Sequence, residues 1–227
     1  MRDRIAQILE RIARAAEACG RSADEIQLVA VSKTKPVENV REALEAGQEL
    51  FGENYIQESR EKVNELAATR ARWHFIGHLQ SNKAKYAVRL FDLVHSVDSA
   101  KLARELNKQA AKIGKVQPVL VQVNISGEAS KSGTARDEAV DLVTEISSLD
   151  NLALQGLMTM PPFFDDPERA RPYFKALREL RDHIRALAIP KVAMDHLSMG
   201  MTGDFEAAIA EGATLVRVGT AIFGERS

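Results

Sequence analysis

The chain has 227 residues, 45% hydrophobic and 28% charged, enough for one barrel or one large α/β domain with a substantial core and too few for two full domains. Its 31 basic and 32 acidic residues nearly cancel to a formal net charge of -1, so no global field favours nucleic acid or an anionic membrane, and any bound anion must be held by local geometry. The single cysteine, Cys19, excludes an internal disulfide and a cysteine-rich zinc site, and the charged segment after Met1 argues against a secretory signal or a membrane span, so a cytoplasmic protein is expected.

Ile5, Ile8, Leu9, Ile12 and Ala16 recur at three- and four-residue spacing and predict an amphipathic helix that Gly20 ends, with Cys19 as a partly buried helix residue. Short apolar runs then alternate with segments rich in Ala, Glu, Lys, Arg and Leu. The runs at 28–31, 50–52, 73–76, 93–97, 119–125, 152–158, 192–197 and 215–223 predict eight strands. Apolar strands separated by helices pair in parallel through crossovers, and eight such units close naturally into a barrel. The expected fold is α/β: a single (β/α)8 TIM-type barrel over residues 1–227 with an extra N-terminal helix. An open doubly wound sheet is the competitor, but no Gly-x-Gly-x-x-Gly fingerprint follows the first strand. The most conspicuous loop runs from Met160 through Pro161, Pro162, Phe163 and Phe164 to Pro167, because clustered prolines continue neither a ladder nor a helix.

In such barrels the working face lies at the carboxyl ends of the strands, which here deliver Ser32 and Lys33, Glu53 and Asn54, His78, Ser96, Asn124, Ser198, and Gly219 with Thr220. Side chains alternate along a strand, so Lys33 falls on the same side as Val29 and Val31, at the barrel mouth. Apolar walls disfavour a charged amine and would leave Lys33 able to attack a carbonyl. The plain alternative is a strand-end lysine that reaches solvent, like Lys35. Residues 197–204 and 216–220 add glycines and hydroxyls after the seventh and eighth strands, where barrels commonly bind phosphate, although glycines there also serve as simple turns and caps. An amine opposite an anion cradle describes an aldehyde-bearing phosphate ligand. Arg217, inside an apolar strand, needs either a carboxylate partner or a ring nitrogen of such a ligand. A metal-dependent hydrolase is a remote alternative, since His74 and His78, four apart on a strand, stand about 13 Å apart at roughly 3.3 Å per residue. His183 reads as a surface residue, and Trp73 and Phe75 as packing groups.

The segments Ala30-Val31-Ser32-Lys33-Thr34-Lys35-Pro36, Phe51-Gly52-Glu53-Asn54-Tyr55, the run 73–83, Gly156-Leu157-Met158, Leu197-Ser198-Met199-Gly200-Met201 and the run 216–224 closely resemble the pyridoxal phosphate homeostasis proteins, relatives of the N-terminal barrel domain of alanine racemases. The resemblance spans essentially the whole chain. It implies one PLP-binding barrel domain with pyridoxal 5′-phosphate (PLP) held as a Schiff base on Lys33, Asn54 nearby, Ser198, Gly200, Gly219 and Thr220 around the phosphate, and Arg217 facing the pyridine nitrogen. It also implies storage and delivery of the cofactor and limitation of the free aldehyde, with PLP-dependent apo-enzymes as partners; the balanced charge argues against nucleic acid and membrane, and the missing second domain of the racemases points to a monomer. Related racemases oppose the cofactor lysine with a tyrosine from an added β domain. No such domain follows residue 227, so a carrier without significant racemase activity is expected rather than a racemase using Lys33 alone or with Tyr55. Lys83 and Lys85 are candidate secondary acceptors.

Overall fold

The computed structural model of the protein describes residues 1–128 and 131–225. Its strands are β1 (Gln27–Val31), β2 (Leu50–Glu53), β3 (Arg72–Phe75), β4 (Leu93–Val97), β5 (Gln117–Asn124), the two-residue β6 (Thr134–Ala135), β7 (Leu152–Met158), β8 (Val192–Met201) and β9 (Leu215–Val218). The helices are α1 (Arg2–Ala18), α2 (Val37–Glu45), α3 (Ile56–Glu65), α4 (Ala84–Leu90), α5 (Ala100–Ala111), α6 (Ala139–Ser147), α7 (Arg171–Ala186), α8 (Phe205–Ala210) and α9 (Thr220–Phe223). All strand pairings are parallel. The order β4-β3-β2-β1-β9-β8-β7-β5 closes through a β4–β5 pairing, with β6 appended to β5, so the open sheet is excluded and the eight-stranded barrel stands.

Alternation along the strands builds two separate cores. Val29, Leu50, Leu93, Leu120, Met158 and Leu215, one from each of six strands, form an apolar cluster of their own, as expected of residues that point into the barrel. Their neighbours, among them Leu28, Phe51, Val94, Val119, Leu157 and Val216, join the larger layer between sheet and helices. Trp73 and Phe75 belong to that layer, and α1 adds Ile5, Ile8, Ile12 and Ala16 to it.

Four expectations shift. Leu9 is 48% exposed and Cys19, at the C-terminal end of α1, is exposed rather than partly buried. The last strand stops at Val218, because Gly219 turns the chain and the apolar residues Ile222 and Phe223 belong to a helix closed by hydrogen bonds onto the Gly219 carbonyl. A short apolar run does not by itself distinguish strand from buried helix. Conversely β8 continues four residues beyond Leu197, so Ser198 and Gly200 lie within a strand and not in the turn after it.

Candidate functional site

At the carboxyl ends of the strands a cavity of about 500 Å³ opens, a volume ordinary for a small-molecule ligand. Lys33 lines it from the turn after β1, beside Val31, as the alternation predicts. Asn54 follows β2, Arg217 comes from β9, and Gly219 and Thr220 stand at the opening of α9. Met160, Phe164 and Pro167 of the proline-rich loop form an apolar wall, and Phe163 is 85% exposed at the rim. The structure thus gathers Lys33, Asn54, Arg217, Gly219 and Thr220 around one space.

Ser198 and Gly200 do not line it. The backbone of Gly200 (φ +88) passes so close to α8 that a Cβ there would stand 2.6 Å from the Ala208 Cβ and 2.9 Å from the Phe205 Cα. Its lack of a side chain serves helix–strand packing. The polar wall beyond β8 is instead Thr202, Gly203 and Asp204, which sequence reasoning had included only as part of a segment. The Asp204 carboxylate accepts from the Met201 N–H at 2.6 Å, and burial raises its pKa above the usual value.

The turn that presents Lys33 is clamped from behind. Ser32 and Glu53 point out of the barrel, and the Ser32 hydroxyl donates to Glu53 Oε1 at 2.6 Å. Lys62 of α3, only 3% exposed, donates to the Ser32 carbonyl (2.7 Å), to Glu53 Oε1 (2.8 Å) and to Glu58 Oε1 (2.5 Å). Glu58 in turn accepts from the N–H of Thr34, a residue at φ +62. Burial raises the Glu53 pKa, opposed by the Lys62 ammonium. The turn before and after Lys33 is therefore pinned through charge-assisted bonds in a dry layer.

Arg217 is buried inside the barrel. Its Nη1 donates to Ser198 Oγ at 2.6 Å and its Nη2 to the Thr159 carbonyl at 2.9 Å. Burial lowers its pKa to about 10, which leaves it charged at neutral pH, with Asp204 acting in the opposite direction. Its described partners are a hydroxyl and a carbonyl, not a carboxylate. Ser198 continues to His95 Nδ1 at 2.8 Å, and His95 Nε2 meets His74 Nδ1 at 2.9 Å. His74 is thus paired with a histidine on the neighbouring strand rather than with His78, which is mostly exposed and faces Asp98 at 3.6 Å. Among the described residues no group of three or more His, Cys, Asp or Glu could hold a metal ion. His183 is exposed. Tyr55 and Lys83 line a neighbouring hollow that shares only Asn54 with the main cavity, and Lys85 lies over the Tyr86 ring.

Burial, then the Arg72 and His196 charges, lower the His74 pKa to about 3, and burial holds His95 well below its ordinary value. Unfolding returns both to an ordinary value near 6.5. Below that pH the unfolded chain takes up protons that the folded chain refuses, so stability falls as pH drops from about 6.5 towards 3, by an amount on the order of a few kcal/mol. Urea unfolding at stepped pH should show this slope, and His74→Gln should flatten it by about one proton.

The family profile of the alanine racemase N-terminal domain matches residues 4–227. A pyridoxal phosphate homeostasis protein of Vibrio alginolyticus is 49% identical over 212 residues, covering 92% of this chain and 90% of that protein. The protein of the same name from Aquifex aeolicus is 46% identical over 224 residues, covering 99% and 97%. The structure of PipY of Synechococcus elongatus with PLP bound superposes with a TM-score of 0.83 at 36% identity, covering 94% of this chain and 100% of that one. No helix among the described residues is long and apolar enough to cross a membrane. With near-complete coverage at this identity, the chain belongs to the pyridoxal phosphate homeostasis protein family, built on the alanine racemase N-terminal domain.

Proposed function

We propose that this protein binds pyridoxal 5′-phosphate in the barrel-mouth cavity, holds it as a Schiff base on Lys33, and serves as a carrier that stores PLP, limits its free concentration and delivers it. The observation that carries the reading is the meeting of one primary amine, one buried guanidinium and a hydroxyl- and glycine-rich edge around a single cavity of about 500 Å³.

The donor set fits the cofactor. Thr202 and Thr220 offer hydroxyls, and Gly203 and Gly219 line the same edge without side chains of their own. On this reading the anion cradle consists of Thr202, Gly203, Gly219 and Thr220, with Ser198 and Gly200 in the barrel behind it. Asn54 Oδ1 is buried without a hydrogen-bond partner, an acceptor suited to a ligand hydroxyl. When bound, PLP supplies an aldehyde that condenses reversibly with amines and a ring that withdraws electrons from the carbon attached to them. Arg217, a donor without acceptor capacity, would hold a ring nitrogen of the cofactor in its unprotonated form and make the ring a weaker electron sink. Met160 and Phe164 add an apolar wall to the cavity that Lys33 lines.

The carrier reading rests on the same wall. Among the described lining residues Lys33 is the one amine and no tyrosine is present; Tyr55, 58% exposed, belongs to the neighbouring hollow. The opposing tyrosine that the related two-sided racemases use is not among these residues. The proposal includes PLP-dependent apo-enzymes as recipients, a cytoplasmic setting and action as a monomer. Borohydride reduction of the PLP-loaded protein followed by peptide mass mapping should place the label on Lys33. Incubation with L- and D-alanine or serine should give no change of chirality beyond free PLP, and turnover above that background would replace the carrier by an enzyme.

A further inference from the structure

Inside the barrel, behind the cavity, four side chains from four strands form one hydrogen-bonded line: His74 on β3, His95 on β4, Ser198 on β8 and Arg217 on β9. His95 and Arg217 stand two residues beyond Leu93 and Leu215 of the inner apolar cluster, and therefore on the same inward face, one step nearer the cavity. Of the four only Arg217 lines that cavity. Ser198 and His95 are wholly buried and His74 nearly so.

One polarity uses the Ser198 proton within the line. A guanidinium only donates, so Ser198 Oγ accepts from Arg217 and its own proton is free to go to His95 Nδ1. An imidazole that accepts at Nδ1 carries its proton on Nε2, which His95 directs at His74 Nδ1. His74 then also has its proton on Nε2. In that polarity, protonating His74 would set two N–H groups against each other across 2.9 Å, and the line accommodates His74 only as a neutral ring.

We propose that the His74–His95–Ser198 line is the device that orients Arg217 towards the ligand, with Ser198 and His95 as positioning residues. One guanidinium edge is occupied by Ser198 and the Thr159 carbonyl, which fixes the plane of the group and leaves its remaining donors for the cavity. The role of Arg217 towards PLP rests on the proposed function above, whereas the orientation of the guanidinium is a property of the ligand-free protein.

The test has two arms. In ligand-free, 15N-labelled protein at pH 7, both His74 and His95 should be neutral Nε2–H tautomers, and the Arg217 Nη signals should be resolved by hindered rotation. Ser198→Ala and His95→Gln should each merge those Nη signals while retaining the folded amide spectrum. An Nδ1–H tautomer at His95, or Nη signals unchanged in both variants, overturns the proposal. In the second arm PLP uptake is titrated by absorbance. Ser198→Ala should weaken uptake about tenfold, the effect of one charge-assisted bond, and shift the band of the bound vitamer. Adding Ser198→Ala to Arg217→Met should cost no further affinity, because the line acts only through Arg217. Additive losses overturn the positioning role. Failure of the native protein to take up PLP overturns the proposed function, and the first arm still decides the orientation of Arg217.

Discussion

Lys33→Ala should abolish covalent capture of pyridoxal 5′-phosphate and leave the barrel standing. No other amine lines the cavity among the described residues: Lys83 borders the adjoining hollow, Lys85 lies over Tyr86, and the Lys62 ammonium is engaged behind the turn by Ser32, Glu53 and Glu58. Lys33 is half-buried in a turn and adds nothing to either apolar core, so its loss should cost about 1 kcal/mol or less. The pinned turn, Arg217 and the hydroxyl edge all remain. Residual non-covalent binding is therefore expected, without an imine band and without label after borohydride. Absorbance, reductive mass mapping and a melting curve on the same sample check the three parts. A reducible adduct of native strength in the variant would move the chemistry to another amine.

Gly156→Ala should prevent the protein from folding stably. Gly156 lies on β7 at a register irregularity, with pairing to both β5 and β8 shifting there. Its backbone approaches β8 so closely that a Cβ would fall 1.9 Å from the His196 carbonyl oxygen, 2.7 Å from the carbonyl carbon and 2.9 Å from the nitrogen. These are backbone atoms of a neighbouring central strand, so no side-chain rotation relieves the clash and the two strands must part. The expected loss is about 4 kcal/mol or more, a large share of the roughly 5–15 kcal/mol that stabilises a domain. Gly47→Ala is the control: its φ of +98 is also unfavourable for alanine, but nothing lies within 4 Å of the added carbon, so about 1 kcal/mol is expected. Urea midpoints compare the three proteins. Near-native stability of Gly156→Ala would show that β7 and β8 can separate at little cost.

The parts of the site that were legible in the sequence all follow a local rule. Period-two alternation puts Lys33 on the face of Val29 and Val31, and the apolar run around it puts Arg217 inside the last strand, before any partner is known. Alternation of apolar runs with helical segments led to the closed parallel barrel. The same signals failed where a residue type suits two environments. Ser198, flanked by Leu197 and Met199, fits the alternating pattern of β8, whereas the small residues and hydroxyls of 197–204 suggest that the strand has already ended. Apolar Ile222 and Phe223 looked like more strand and are a buried turn of helix.

By itself, then, the sequence determined the fold class, through the alternation of strands and helices along the chain, and the amine at the barrel mouth and the guanidinium within the last strand, through spacing inside one strand. Only the tertiary structure decided what these groups touch. His74 meets His95, Ser198 meets Arg217 across 19 residues of chain, and Lys62 reaches the carbonyl of Ser32 across 30, contacts created when the barrel closes and α3 packs against it. The physical reason is that alternation is set by neighbouring backbone dihedrals, whereas a buried polar group must find its hydrogen-bond partner wherever the folded chain places one.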